Sequence, residues 1–210
     1  MPSPPIALIV AATQPSLGIG SCGVLPWRLT TDMAFFRSLT SAKHFDSASF
    51  GMPAVIMGRK TWDSIPPRFR PMKDRQNIIL SRTSEQFHPG VKTYSSLSAA
   101  VSALKSQTPP PSAIFVIGGA EIYREALSTL SGPLHIFLTA VTPLHGEQSL
   151  SLDTYFPDFR SSGTWKLLPK SQLKSILRST YNASQAAELV AEQMIIENGH
   201  EYDFTIWERS

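Results

Sequence analysis

Short apolar runs recur at residues 6–12, 54–57, 77–81, 113–117 and 135–141, rich in β-branched or aromatic side chains and closed by Gly, Ser or Pro. Most are apolar almost throughout, as strands are when helices cover both faces of a largely parallel sheet. Helical patterns lie between them at 32–39, 61–64, 97–104 and 121–130; in the first, Met33, Phe36 and Leu39 are spaced to share one face. Strand and helix alternate, which constrains the chain to an α/β fold. The C-terminal part departs from this rhythm. Residues 165–168 and the alternation Tyr202, Phe204, Ile206 read as antiparallel strands at a sheet edge, so the sheet is expected to be mixed. Two stretches read as surface insertions: 41–51, small and polar, and 171–193, polar apart from a helix-prone 185–193.

With 210 residues, 42% hydrophobic and 17% charged, the chain has the make-up of a single domain, 1–210, that needs no staples to hold a core. Its lone cysteine, Cys22, allows neither an intrachain disulfide nor a CxxC knuckle, so no metal site and a reducing, cytoplasmic setting are expected. The run 6–12 follows Pro2, Pro4 and Pro5 without any Lys or Arg, unlike a signal peptide, and no stretch approaches the ~20 apolar residues of a membrane span. Nineteen basic and sixteen acidic side chains leave a net charge of +3 with no dense basic block. Nucleic acid and membrane are therefore not expected partners, whereas a few placed cations for a phosphate-bearing small molecule remain open.

Several motifs bear on such a ligand. Gly18-Ile19-Gly20-Ser21-Cys22-Gly23 matches a dinucleotide fingerprint, but Val24-Leu25-Pro26-Trp27 follows where a helix should open, so a mobile glycine loop anchored by Leu25 and Trp27 is the better reading. Ile117-Gly118-Gly119-Ala120-Glu121 runs from a buried strand through two glycines into a helix. That arrangement either serves a tight turn or offers free N–H groups to a pyrophosphate. Met57-Gly58-Arg59-Lys60-Thr61 repeats the layout with two cations at a helix start, and Leu80-Ser81-Arg82 ends another strand with a hydroxyl and a cation. Three strand ends thus carry phosphate-binding chemistry. Asp32, behind Thr30-Thr31, either complements a helix dipole or is a site carboxylate.

In order along the chain, Ile9-Val10-Ala11, Gly18-Ile19-Gly20, Leu25-Pro26-Trp27, Asp32, Phe36, Val55 to Arg59, Thr61-Trp62, Ser64-Ile65-Pro66, Arg75, Ile78 to Arg82, Ile117-Gly118-Gly119, Tyr123, Thr139 and Asp153-Thr154-Phe156-Pro157 resemble dihydrofolate reductase. The match spans nearly the whole chain, with only the two insertions outside it. The resemblance implies a central mixed, mostly parallel sheet flanked by helices, NADPH as hydride donor, 7,8-dihydrofolate as acceptor, antifolates as ligands, and a monofunctional monomer.

It also implies roles. Asp32 would hold the pterin 2-amino group and ring N–H through paired bonds, with Thr139 behind it. Ile9, Val10, Ala11, Met33, Phe36, Ser64, Ile65, Pro66, Phe69 and Ile117 would line the substrate, and Arg75 would clamp its glutamate. Leu25, Trp27 and Tyr123 would join Asp32 and Thr139 around the reacting ring. Ala11, Ile19, Gly20, Gly58, Arg59, Lys60, Thr61, Leu80, Ser81, Arg82, Ser96, Ile117, Gly118, Gly119, Ala120, Glu121 and Ile122 would meet the cofactor, Arg59 and Arg82 nearest its 2′-phosphate. The peptide between Gly118 and Gly119 is expected to be strained and cis. One departure stands out: eukaryotic members usually carry Glu where this otherwise eukaryote-like chain has Asp32. A non-catalytic NADPH or folate binder and a pyrimidine reductase of the same fold are the rival readings.

Overall fold

A computed structural model of the chain describes residues 3–42, 50–83 and 87–209. The insertion expected at 41–51 therefore lies largely outside the described residues. The chain divides into two compact units, one formed by Met1–Leu8 and Thr40–Leu134, the other by Ile9–Leu39 and His135–Ser210.

In the first unit the start of β1 (Ile6–Thr13) pairs with β6 (Ile114–Val116), which pairs with β3 (Ala54–Gly58), then β4 (Gln76–Leu80), then β5 (Lys92–Tyr94). Each of these pairings is parallel. Ala54, Val55, Ile56 and Met57 have no exposed surface, as both-face coverage requires of a central parallel strand. The helices are α2 (Arg59–Ser64), α3 (Leu97–Lys105) and α4 (Ala120–Thr129). Ser96 caps α3 by accepting from the Ala99 N–H at 3.2 Å, and Leu97, Ala100, Val101 and Leu104 form its buried stripe.

The second unit holds the rest of β1, β2 (Gly18–Gly20), α1 (Thr30–Thr40) up to Leu39, β7 (Leu134–Pro143) from His135, β8 (Thr154–Tyr155), β9 (Lys166–Leu168), α5 (Lys170–Ser179), α6 (Ser184–Leu189), β10 (Ile195–Glu197) and β11 (His200–Arg209). Its strand order is β10-β11-β7-β1, with β9 also on β11; β9 and β10 both run antiparallel to β11. The sheet structure is mixed, mostly parallel and flanked by helices, as expected. Along β11, His200, Tyr202, Phe204 and Ile206 are buried in alternation, and Phe35 of α1 stacks on Phe204 at 4.3 Å.

Two expectations are corrected. Residues 171–193 are not a polar surface excursion: α5 begins at Lys170, packs on β11, and buries Leu173 and Leu177 one turn apart, with Tyr181, Ala186 and Ala187 also buried. The charged residues around that pair hid a strongly one-sided helix. The helical part of 185–193 ends at Leu189. Only the start of the glycine loop is a strand: Gly18 and Gly20 of β2 pair antiparallel with Tyr155 and Thr154 of β8, and turn and loop follow from Ser21 to Trp27.

Candidate active site

Asp32 sits in the first turn of α1, and Thr139 lies near the middle of β7. The Thr139 hydroxyl donates to Asp32 Oδ1 at 2.7 Å, joining residues 107 positions apart. Thr139 is 3% exposed and Asp32 is partly buried. Burial pushes the Asp32 carboxyl up to about 6; the Thr139 bond works against that rise and the charge of Glu197 adds to it. Of the side chains expected to line the substrate from α1, Phe36 is partly buried and Met33 is 46% exposed.

Glu197, at the end of β10, belongs to none of the sequence motifs above. Its carboxylate accepts the Thr30 N–H at 2.6 Å, the Thr31 N–H at 3.3 Å and the Tyr202 hydroxyl at 2.8 Å. Burial alone would raise its pKa, but these bonds outweigh that and hold it down to about 2. The available signal was Asn198-Gly199, a two-residue hairpin turn with both residues at positive φ (49° and 76°).

Upstream of α1, Leu25 is half exposed and Trp27 is buried, its ring edge-on to His200 at 6.2 Å. The Trp27 indole N–H has no hydrogen-bond partner among the described residues, an open donor in a buried setting. Ile9 and Val10 of β1 are buried and Ala11 is partly so. Ile19 and Gly20 lie on β2, next to Cys22, whose N–H donates to Asp153 Oδ2 at 2.7 Å.

In the first unit the three suspected strand ends come together. Gly58 stands beside Leu80 in register, and Ile56 beside Val116, so the chain after β6 reaches the end of β3. The Gly58 N–H donates to Gly118 O at 2.8 Å. The Gly118-Gly119 peptide is cis, Gly118 has φ +101°, and a Cβ there would lie 2.7 Å from the Tyr123 ring. Gly119 caps α4 without a side-chain acceptor, leaving first-turn N–H groups for another partner. Arg59, Lys60 and Arg82 are exposed around this edge, and no ion pair engages them among the described residues. The Ser81 hydroxyl shares a 3.0 Å bond with that of Thr83, and Thr61 lies 3.4 Å from a Cβ built on Gly119. Ser96 already serves α3 as its cap.

Arg75 is partly buried. Its Nε donates to Lys73 O at 2.9 Å and its Nη1 to the Thr40 hydroxyl, which together orient the guanidinium. Ser64 donates to Thr61 O at 2.7 Å, Ile65 is partly buried, and Pro66 and Phe69 are exposed.

Comparison with known proteins shows the family. The family model described as dihydrofolate reductase matches residues 5–188. The chain is 36% identical to the dihydrofolate reductase of Candida albicans over 213 residues, covering all of both chains. It is 34% identical to that of Saccharomyces cerevisiae over 211 residues, covering 98% of this chain and 97% of the yeast one. Among solved structures, Schistosoma mansoni dihydrofolate reductase superposes with a TM-score of 0.75 at 29% identity, both chains fully covered. The chain belongs to the dihydrofolate reductase family.

For a dihydrofolate reductase the glycine edge of the first unit suits a dinucleotide. The α4 start lacks a side-chain cap, backbone is exposed where glycines remove side chains, and three cations stand nearby without acidic partners among the described residues. In the second unit Asp32 presents a carboxylate whose second oxygen is not the one Thr139 engages. Among the described residues no cluster of His, Cys, Asp and Glu could hold a metal ion, and no helix is long and apolar enough to cross a membrane.

Proposed function

We propose that this chain reduces 7,8-dihydrofolate to 5,6,7,8-tetrahydrofolate with NADPH, and that Asp32 is the carboxylate that holds the pterin. The observation carrying this reading is the Thr139–Asp32 pair: a carboxyl group raised to about 6 by burial, with one oxygen fixed by a hydroxyl from β7. Such a group accepts two parallel N–H donors from an amidine edge in charge-assisted bonds. Its affinity for a proton near neutral pH lets it exchange between charge states as N5 of the bound ring is protonated, with water carrying the proton. Arg75 takes the glutamate carboxylate of the substrate, its fork already oriented by Thr40 and Lys73.

When bound, NADPH supplies the hydride delivered to C6. The chain's own contribution is to bind it: the α4 start and Gly118-Gly119 for the pyrophosphate, Arg59 and Arg82 for the 2′-phosphate, and Tyr123 as a buried wall beside Gly118. The free, exposed thiol of Cys22 fits a reducing cytoplasm.

The test mixes purified protein, NADPH and dihydrofolate and follows NADPH absorbance. The expected result is a decline that needs both compounds and stops with methotrexate-like inhibitors. Tight binding of both without any decline would assign a non-catalytic binder instead.

A further inference from the structure

Helix α1, which carries Asp32, has no local cap. Its first backbone bond runs from the Met33 N–H to Leu29 O at 3.1 Å, so Leu29 holds the cap position with an apolar side chain. The β10–β11 hairpin takes over that task from 166 and 167 residues away. Its turn residue Asn198 donates to Arg28 O at 2.7 Å, and the adjacent Glu197 accepts the Thr30 and Thr31 N–H groups. Tyr202 fixes the other side of the Glu197 carboxylate and is itself hydrogen-bonded by Thr31.

Resting on the reading of Asp32 given above, we infer that Glu197 is a positioning residue for Asp32: it anchors the two backbone N–H groups that precede Asp32 in α1 and places its charge at that helix start. Two physical effects then act in the same sense, toward protonated Asp32. An anion at the helix start neutralises the positive end of the macrodipole, which would otherwise favour ionised Asp32. The same anion also repels the Asp32 charge directly, and its Coulombic effect on Asp32 is upward. The hairpin's Tyr202 is in turn acted on by Asp32: burial chiefly, with the charges of Glu197 and Asp32 adding, pushes its hydroxyl up to about 12, so it is neutral at working pH. From β7 the partner is the Thr139 hydroxyl, and β1 contains no titratable residue. The one histidine of β7, His135, is bonded instead to Tyr181 and paired with Glu208.

The decisive experiment is a 13C NMR titration of the Asp32 carboxyl, assigned with Asp32→Asn, in the parent, Glu197→Gln and Glu197→Asp. Glutamine keeps the acceptor and removes the charge; aspartate keeps the charge on a shorter arm. The expected result is a midpoint lowered by about half a pH unit in Glu197→Gln, with Glu197→Asp staying close to the parent. An unmoved midpoint in a folded Glu197→Gln, or equal shifts in both variants, overturns the inference.

Amide exchange in the parent keeps the inference open to refutation even if a variant fails to fold. Thr30 and Thr31 N–H groups, which exchange freely when only water caps a helix, should be protected by about tenfold or more. Free exchange there would also overturn it. Neither readout needs turnover, so a protein that passes both but does not oxidise NADPH loses the functional reading and not the Glu197–Asp32 relationship.

Discussion

Thr139 donates its hydroxyl hydrogen to Asp32 at 2.7 Å, and this bond favours the charged form of a carboxyl group that burial otherwise keeps close to neutrality. Thr139→Val removes the donor while nearly preserving shape at a position 3% exposed. The Asp32 midpoint should rise by about half a unit to one unit, and the apparent pKa of turnover should rise with it. A pH–rate profile and the carboxyl titration check this together. The direction is opposite to that expected for Glu197→Gln, so the two variants control for each other.

Asp32→Asn should lower turnover at neutral pH by at least about tenfold, because an amide cannot accept two donors as an anion. A loss smaller than about threefold would remove Asp32 from the chemistry.

The same variant carries a stability signature. In the folded protein the Asp32 pKa is raised to about 6 from 3.8, so folding takes up a proton between those values. The parent therefore loses stability as pH rises from about 4 through about 6, and Asp32→Asn does not. Urea unfolding should show the two alike near pH 4, and the variant more stable at pH 8 by up to about 3 kcal/mol. A gap that closes with rising pH would contradict the raised pKa.

Arg75→Leu should weaken dihydrofolate and methotrexate-like ligands by about 2 to 5 kcal/mol, because the ligand's carboxylate loses a guanidinium that Thr40 and Lys73 hold in place. Small diaminopyrimidines without a glutamate should bind as before. Calorimetry with both ligand classes separates the clamp from a folding defect, which would weaken both.

Replacing Arg59 and Arg82 together by Ala should cost NADPH about 2 kcal/mol or more of binding and leave NADH nearly unchanged, since only the 2′-phosphate distinguishes them. Both side chains are exposed, so the fold should tolerate the change. Fluorescence titration with each cofactor measures the difference; equal losses would place the two cations away from the phosphate.

Local pattern was enough for much of this protein. The strands at 54–58 and 76–80 are legible because complete burial selects unbroken apolar runs, and α3 because Leu97, Ala100, Val101 and Leu104 fall on one helical stripe. Gly58, Gly118 and Gly119 mark a backbone edge by their missing side chains, and the ordered set of motifs around Asp32 and Arg75 marks the family. Tertiary structure alone decided what depends on partners distant in sequence. Whether Gly18–Gly20 is a loop or a strand turns on β8 lying beside it, more than 130 residues on. The polar surroundings of Leu173 and Leu177 obscure α5, whose buried stripe is defined only once α6 and β11 pack against the helix. The state of Asp32 was the least legible, because a carboxyl pKa is set by burial and by the donors and charges around it. Those come from Thr139 on β7 and Glu197 on β10, and no spacing in the sequence brings either to the first turn of α1.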